Sequence, residues 1–174
     1  MLLSQLTLQH VGSSLIKRFL TCHRPQLLEG CVYEIHGFSD NSEIGYAAVV
    51  YMRIVDPHGK IDFRLIVGKS TVAPVKVQSL QCLELCGVLL LACLFNYVSV
   101  EFKDELSLSS LTNELIPKLS RHGLTGLHTM ANKVSELQDL TQPSWWKHVC
   151  SEDNHADCAS RGLWPAQLLN HHLW

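Results

Sequence analysis

The sequence predicts an α/β fold built around a mixed β-sheet. Three features favour this fold: consecutive strand-like runs between residues 31 and 69, a long apolar helical segment over residues 77–98, and further strand and helix patterns after it. The chain has 174 residues, of which 47% are hydrophobic and 17% are charged. This composition is typical of one globular domain with a substantial core.

The first three strands are predicted to form an antiparallel meander. Residues 31–40 and 45–56 are rich in β-branched and aromatic side chains, and residues 61–69 resume the pattern. The intervening DPHG sequence at residues 56–59 is a turn, because proline presets φ and glycine tolerates conformations that other residues avoid. Short connections of this kind join antiparallel neighbours.

The long apolar segment is predicted to be a core helix packed against this sheet. Residues 77–98 are apolar on several faces, which indicates burial on more than one side. The longest apolar stretch, residues 86–97, is too short to span a bilayer. Residues 1–20 contain no uninterrupted apolar run of secretory length. We therefore expect neither a signal peptide nor a membrane role.

The C-terminal half is predicted to continue with strands that alternate with helices. In chain order these are a strand, two helices, a strand and a helix, at residues 105–111, 112–120, 127–140, 145–149 and 153–162. Pro117 interrupts the first of these helices, and Asn154 or Asp153 caps the last. Trp145 and Trp146 are expected to serve the core.

The sequence also predicts a domain boundary, the strength of nucleic-acid binding and the cellular compartment. Residues 31–174 are predicted to form one domain, and residues 1–30 an N-terminal extension whose role stays open. The net charge of −2 predicts weak binding of nucleic acid by the isolated chain, because phosphate affinity comes mainly from Lys and Arg. Seven cysteines without a CxxC pair predict free thiols in a reducing, intracellular compartment, either cytoplasm or nucleus.

Three carboxylates occupy positions from which such a fold could bring them together. Asp40 ends the first strand, Glu84 lies inside the central helix, and Asp157 begins the last helix. A carboxylate in an apolar helix is costly to bury unless it is paired or binds a cation. The alternative for Glu84 is a position at the rim of the helix, where it reaches water or a basic partner.

Three separated segments are distinctive as a set: HGFSDNSEIGYAAVVYMRIVD, VAPVKVQSLQCLELCGVLLLACL and PSWWKHVCSEDNHADCASRG. In this order and spacing they resemble the ribonuclease H-like region of BEL/Pao retrotransposon polyproteins, a region also described as Pao retrotransposon peptidase. The resemblance runs from about Ile16 to Trp174. The peptidase description does not fit, because the chain contains neither the Asp-Thr-Gly nor the Asp-Ser-Gly of an aspartic protease.

The resemblance implies a ribonuclease H-like fold that hydrolyses the RNA strand of an RNA–DNA hybrid by two-metal catalysis. In that chemistry two divalent ions about 3.5–4 Å apart activate water and stabilise the leaving oxygen. Mg²⁺, or Mn²⁺, suits the carboxylate ligands. By resemblance, Asp40, Glu84 and Asp157 are the catalytic and metal-binding residues. The implied partners are the hybrid and the reverse-transcriptase and integrase regions of the parent polyprotein.

The resemblance also implies a fourth carboxylate after the fourth strand, and this chain lacks it. Leu111 falls on that position, and leucine cannot bind Mg²⁺. A shifted alignment offers Asp104, Glu105 or Glu114 as a replacement, although Asp104 and Glu105 lie on the far side of the presumed strand. We therefore predict impaired hydrolysis unless another carboxylate replaces Leu111.

Four other departures from the family pattern also predict impaired hydrolysis. Cys82 replaces an arginine, Ser109 a tryptophan, and Cys150 and His155 each replace a proline. Such losses are expected of a decaying element copy, and equally of a domain domesticated for a non-catalytic use. The alternative to a nuclease is therefore a non-catalytic nucleic-acid or protein-binding remnant of the polyprotein.

Overall fold

A computed structural model of the chain describes residues 27–74, 79–103, 113–117 and 131–162. Its centre is the predicted antiparallel meander: β1 (Val32–Asn41), β2 (Gly45–Val55) and β3 (Ile61–Val72). The local sequence explains the connections. Asp56 accepts hydrogen bonds through Oδ1 from the backbone N–H groups of His58 and Lys60, which closes the β2–β3 turn. These three strand predictions are confirmed.

A fourth strand, β4 (Asn113–Pro117), makes the sheet mixed. It pairs in parallel with residues 35–39 of β1, so the described sheet has the order β3-β2-β1-β4. The prediction of a helix over residues 112–120 is therefore wrong for residues 113–117, and its other residues lie outside the described ranges. The cause is non-local: β1 supplies backbone partners to this short segment. Pro117 is tolerated because it lies at the end of a strand at the edge of the described sheet. The predicted strand at residues 105–111 lies outside the described residues.

The predicted core helix is confirmed as α1 (Leu80–Glu101). Ser79 caps its N-terminus, where the Ser79 hydroxyl accepts a hydrogen bond from the N–H of Cys82 at 3.3 Å. Its buried face packs on β1 and β2 in a core that includes Ile35, Val50, Met52, Leu91, Leu94, Phe95, Val98 and Phe102. The buried face thus fixes the helix across the sheet.

Residues Cys82–Glu101 of α1 are long and apolar enough to cross a membrane by length and composition alone. Of the apolar 18-residue window in that stretch, 56% is buried inside the structure, as in the core helix of a globular domain. The same residues form the main contact with the sheet.

The region after β4 contains α2 (Ala131–Leu140), two short 3₁₀ helices (Pro143–Trp145 and Ser151–Asp153) and α3 (Asp157–Arg161). The end of the predicted helix before Pro143 is confirmed. The strand predicted at residues 145–149 is wrong, because Trp145 closes a 3₁₀ turn instead. The Trp146 indole N–H donates to Thr141 Oγ1 at 3.0 Å, which holds the chain in this turn. Both tryptophans pack against the core as predicted.

Candidate functional site

Asp40 lies near the C-terminal end of β1 and is almost completely buried, with 2% of its surface exposed. A buried carboxylate needs strong partners, because the charged form loses its hydration. Ser160 of α3 provides one: its hydroxyl donates to Asp40 Oδ2 at 2.6 Å. Asp40 is thus held by a residue 120 positions away in the chain.

Helix α1 comes close to the same strand end at Gly87. A Cβ atom built on Gly87 would lie 3.4 Å from the carbonyl oxygen of Asp40 and 3.6 Å from Tyr46 Cβ. These are ordinary van der Waals distances, so helix α1 packs directly on the strand end at Gly87. Glu84 lies three residues earlier, on the same side of the helix as Gly87. Its side chain is half-buried, as expected for a position at the rim of the helix.

Helix α3 brings Asp157 to this region. The Ser160 hydroxyl that contacts Asp40 also lies 2.9 Å from the backbone carbonyl oxygen of Asp157. The Asp157 carboxylate is 22% exposed and accepts from the Arg161 guanidinium, with Oδ1 at 2.9 Å from Nη2 and 3.0 Å from Nε. Arg161 therefore neutralises Asp157 across one helical turn.

Asn154 ties the segment that carries Asp157 to the segment that carries Asp40. Its side chain is fully buried; Nδ2 donates to the carbonyl oxygen of Ser39, and Oδ1 accepts from the N–H of Ala156, each at 3.0 Å. The prediction that Asn154 or Asp153 caps the last helix is wrong. Ala156 occupies the N-cap position, and Asn154 instead closes the turn before the helix.

Sequence reasoning missed Asn154 and Ser160 as residues that position the site. The sequence pattern predicts only a capping role for Asn154 and no role for Ser160. Their positions could have indicated this role, because both residues lie within three positions of Asp157. Small polar side chains flanking a candidate carboxylate are suited to hydrogen bonds that orient it.

The three elements that carry Asp40, Glu84 and Asp157 therefore meet at one end of β1. Within residues 27–74, 79–103, 113–117 and 131–162, no group of three or more His, Cys, Asp or Glu side chains is arranged to hold a metal ion. The described carboxylates have the oxygen chemistry that Mg²⁺ prefers. They do not by themselves form a three-ligand centre.

The relation of this chain to known proteins follows from a family comparison. A family model for the Pao retrotransposon-like RNaseH-like domain matches residues 5–114, which is more than half of the 174 residues. The chain belongs to this Pao family. No curated protein and no solved structure matches the chain.

The Pao family match covers Asp40 and Glu84 and ends before Asp157. It begins at residue 5, inside the segment predicted as an N-terminal extension. Membership supports the ribonuclease H-like character of the domain, as the three antiparallel strands followed by helices do. It does not establish the roles of the three carboxylates.

Of the positions considered for the fourth carboxylate of this Pao domain, the structure describes only one. Leu111, Asp104 and Glu105 lie outside the described residues. Glu114 lies in β4, where its backbone pairs with His36 rather than with Asp40. Four strand residues correspond to about 13 Å, which argues against Glu114 as a ligand shared with Asp40.

An aromatic cluster of the Pao domain supports the segment before Asp157. The His155 ring stacks on Phe38 with centroids 4.6 Å apart, and lies edge-on to Tyr51 at 5.0 Å. Phe38 is two residues before Asp40. The cluster thus adds apolar and aromatic contacts to the Asn154 hydrogen bonds at the same junction.

Tyr51 in this cluster should make stability fall at high pH. Burial, and secondly the nearby Cys158, raises the pKa of the Tyr51 hydroxyl from 10.0 to about 12. Because the folded pKa exceeds the unfolded one, this contribution is complete below pH 10 and is lost as pH rises towards 12. The measurement is denaturant unfolding across this window, with tyrosinate absorbance followed in parallel.

The Tyr51→Phe variant should show a weaker loss of stability over the same pH range. Tyr46→Phe is the matched comparison, because burial also raises the pKa of Tyr46. Ionisation of Tyr51 at the pH of an exposed tyrosine would contradict the prediction.

Proposed function

We propose that this Pao domain is a retroelement-derived ribonuclease H module, ancestrally hydrolysing the RNA strand of RNA–DNA hybrids, and that its own hydrolytic activity is low. The convergence of β1, α1 and α3 at the buried Asp40 carries the proposal. Family membership supports it at the level of a ribonuclease H-like domain. The low activity follows from Leu111 at the position of the fourth carboxylate.

We propose Asp40, Glu84 and Asp157 as the ligands of Mg²⁺ or Mn²⁺ on the strength of the resemblance, since their described side chains do not themselves form a three-ligand group. When bound, the ions would supply activation of water and stabilisation of the leaving oxygen. The chain's own residues keep the carboxylates in place. Ser160 orients Asp40 through one carboxylate oxygen, and Asn154 anchors the segment that carries Asp157. Arg161 holds Asp157 and must share it with any cation.

Substrate affinity should come largely from companion regions. The slight negative net charge gives the isolated domain little attraction for phosphate. We propose that reverse-transcriptase and integrase regions of the parent polyprotein are its partners, and that the first of these helps to hold the hybrid. The free thiols of the six described cysteines support an intracellular location, cytoplasmic or nuclear.

A second candidate is a non-catalytic nucleic-acid or protein-binding module. The observation that favours it is the internal engagement of two carboxylates, Asp40 by Ser160 and Asp157 by Arg161. Arg161 offsets the charge of Asp157 without a cation, and Ser160 satisfies one oxygen of Asp40.

The deciding experiment is cleavage of a labelled RNA–DNA hybrid with Mg²⁺ or Mn²⁺ at high protein concentration. We expect little cleavage by the wild type and a gain of at least about 10- to 100-fold in Leu111→Asp, the range associated with lost partners of metal ligands. Asp40→Asn in the Leu111→Asp background should abolish the gain. Single-stranded RNA serves as the substrate control.

Strong wild-type cleavage that Asp40→Asn abolishes would show that another carboxylate already replaces Leu111. A folded Leu111→Asp protein that binds the hybrid without cleaving it would favour the binding module. Circular dichroism of each variant separates loss of activity from loss of fold.

A further inference from the structure

Strand β3 forms an end of the described sheet and carries an exposed apolar row. Ile61, Phe63 and Leu65 alternate along it and are 48%, 60% and 39% exposed. They share the sheet face opposite α1 with their β2 neighbours Val55, Arg53 and Tyr51. An edge strand presents unpaired backbone groups and is a template for pairing with another strand.

The other face of β3 carries two opposite charges. Asp62 and Arg64 pair in register with the buried residues Ile54 and Met52, so they lie on the α1 side of the sheet. Their side chains are 54% and 53% exposed, and Arg64 Nε lies 3.1 Å from Asp62 Oδ2. Only one residue, Phe63, separates them.

We propose that β3 pairs antiparallel with β3 of a second copy, about a two-fold axis at Phe63. In this register Asp62 lies opposite Arg64 of the second copy, and Arg64 opposite its Asp62. Ile61 lies opposite Leu65 on the other face, and the two Phe63 side chains meet at the axis. The strand is thus complementary to itself in both charge and apolar character, which a two-fold interface requires.

Other registers are less favourable. A two-fold axis at Asp62 would place this carboxylate opposite its own copy and Lys60 opposite Arg64. An axis at Arg64 would place two guanidinium groups opposite each other. Like charges directly opposite destabilise a strand pair, whereas opposite charges stabilise it. Charges on an edge strand commonly prevent its pairing with another strand. In β3 the order of Asp62 and Arg64 allows pairing when the two-fold axis lies at Phe63.

The test is sedimentation velocity of the full chain over a wide concentration range. We expect a concentration-dependent dimer in the wild type. Arg64→Asp and Asp62→Arg should each raise the dissociation constant by about tenfold or more, because both cross-strand pairs become repulsive. The double exchange Asp62→Arg with Arg64→Asp should restore the dimer, because it restores complementarity.

Mixing the two single variants gives the most specific readout. Each presents one sign of charge, so the mixture should form heterodimers under conditions where each variant alone is monomeric. Thermal unfolding at low concentration checks that each variant is folded. A wild type that stays monomeric up to about 0.5 mM would overturn the proposal. So would a dimer that both single charge reversals leave unchanged.

Discussion

Replacing Phe95 by alanine should lower the free energy of unfolding by about 3–5 kcal/mol, the cost of truncating a fully buried aromatic side chain. Phe95 is 2% exposed and lies on α1 among Leu91, Leu94 and Val98. Its ring centroid is 5.9 Å from that of Trp145. The variant therefore loses contacts both within the core and with the segment that leads towards α3.

Denaturant unfolding measures this effect, with an unchanged dependence on denaturant as the sign that stability alone has changed. Val100→Ala is the matched control, since Val100 lies on the same helix with 60% exposure. It should change stability by no more than about 0.5 kcal/mol. Equal midpoints for Phe95→Ala and the wild type would show that Phe95 does not serve the core as described.

The sequence predicted correctly those strands and the helix whose pattern lies within one continuous stretch of residues. β1, β2 and β3 follow runs of β-branched and aromatic residues, and α1 follows its long apolar segment. β4 was mistaken for a helix because its five residues become a strand through pairing with β1, which is distant in the chain. At residues 145–149 the strand pattern failed because Pro143 and the Trp146–Thr141 hydrogen bond favour a turn.

At the candidate site, too, the sequence predicted local positions but not contacts between distant residues. The sequence placed Asp40 at the end of a strand and Asp157 at the start of a helix, as the structure does. It did not predict how they are connected, because Ser160–Asp40 and Asn154–Ser39 are hydrogen bonds between residues more than a hundred positions apart. Such partners follow from the packing of α3 against the sheet rather than from spacing.

The Asn154→Ala variant should lose about 2–4 kcal/mol of stability, because two buried backbone groups lose their partners at once. These are the carbonyl oxygen of Ser39 and the N–H of Ala156, each 3.0 Å from the Asn154 side chain. An unsatisfied buried polar group costs about 1–3 kcal/mol. Hydrogen exchange should show faster exchange of the Ala156 amide, and denaturant unfolding gives the energy.

The isosteric variant Asn154→Asp distinguishes the lost hydrogen bonds from the lost volume. It keeps an acceptor for Ala156 but, when ionised, turns a carboxylate oxygen towards the carbonyl oxygen of Ser39. We expect burial to raise the pKa of the new carboxyl in the folded state. Its stability should therefore be greatest at low pH, where the protonated oxygen can donate to Ser39, and fall as pH rises through the folded pKa.

Glu152→Gln is the control, because Glu152 is exposed in the neighbouring turn and should leave both measurements unchanged. If Asn154→Ala and Asn154→Asp both retain wild-type stability across this pH range, the junction of β1 and α3 does not depend on Asn154. The Ser160–Asp40 hydrogen bond and the packing of Phe38, Tyr51 and His155 would then be the contacts that hold the segment carrying Asp157 against β1.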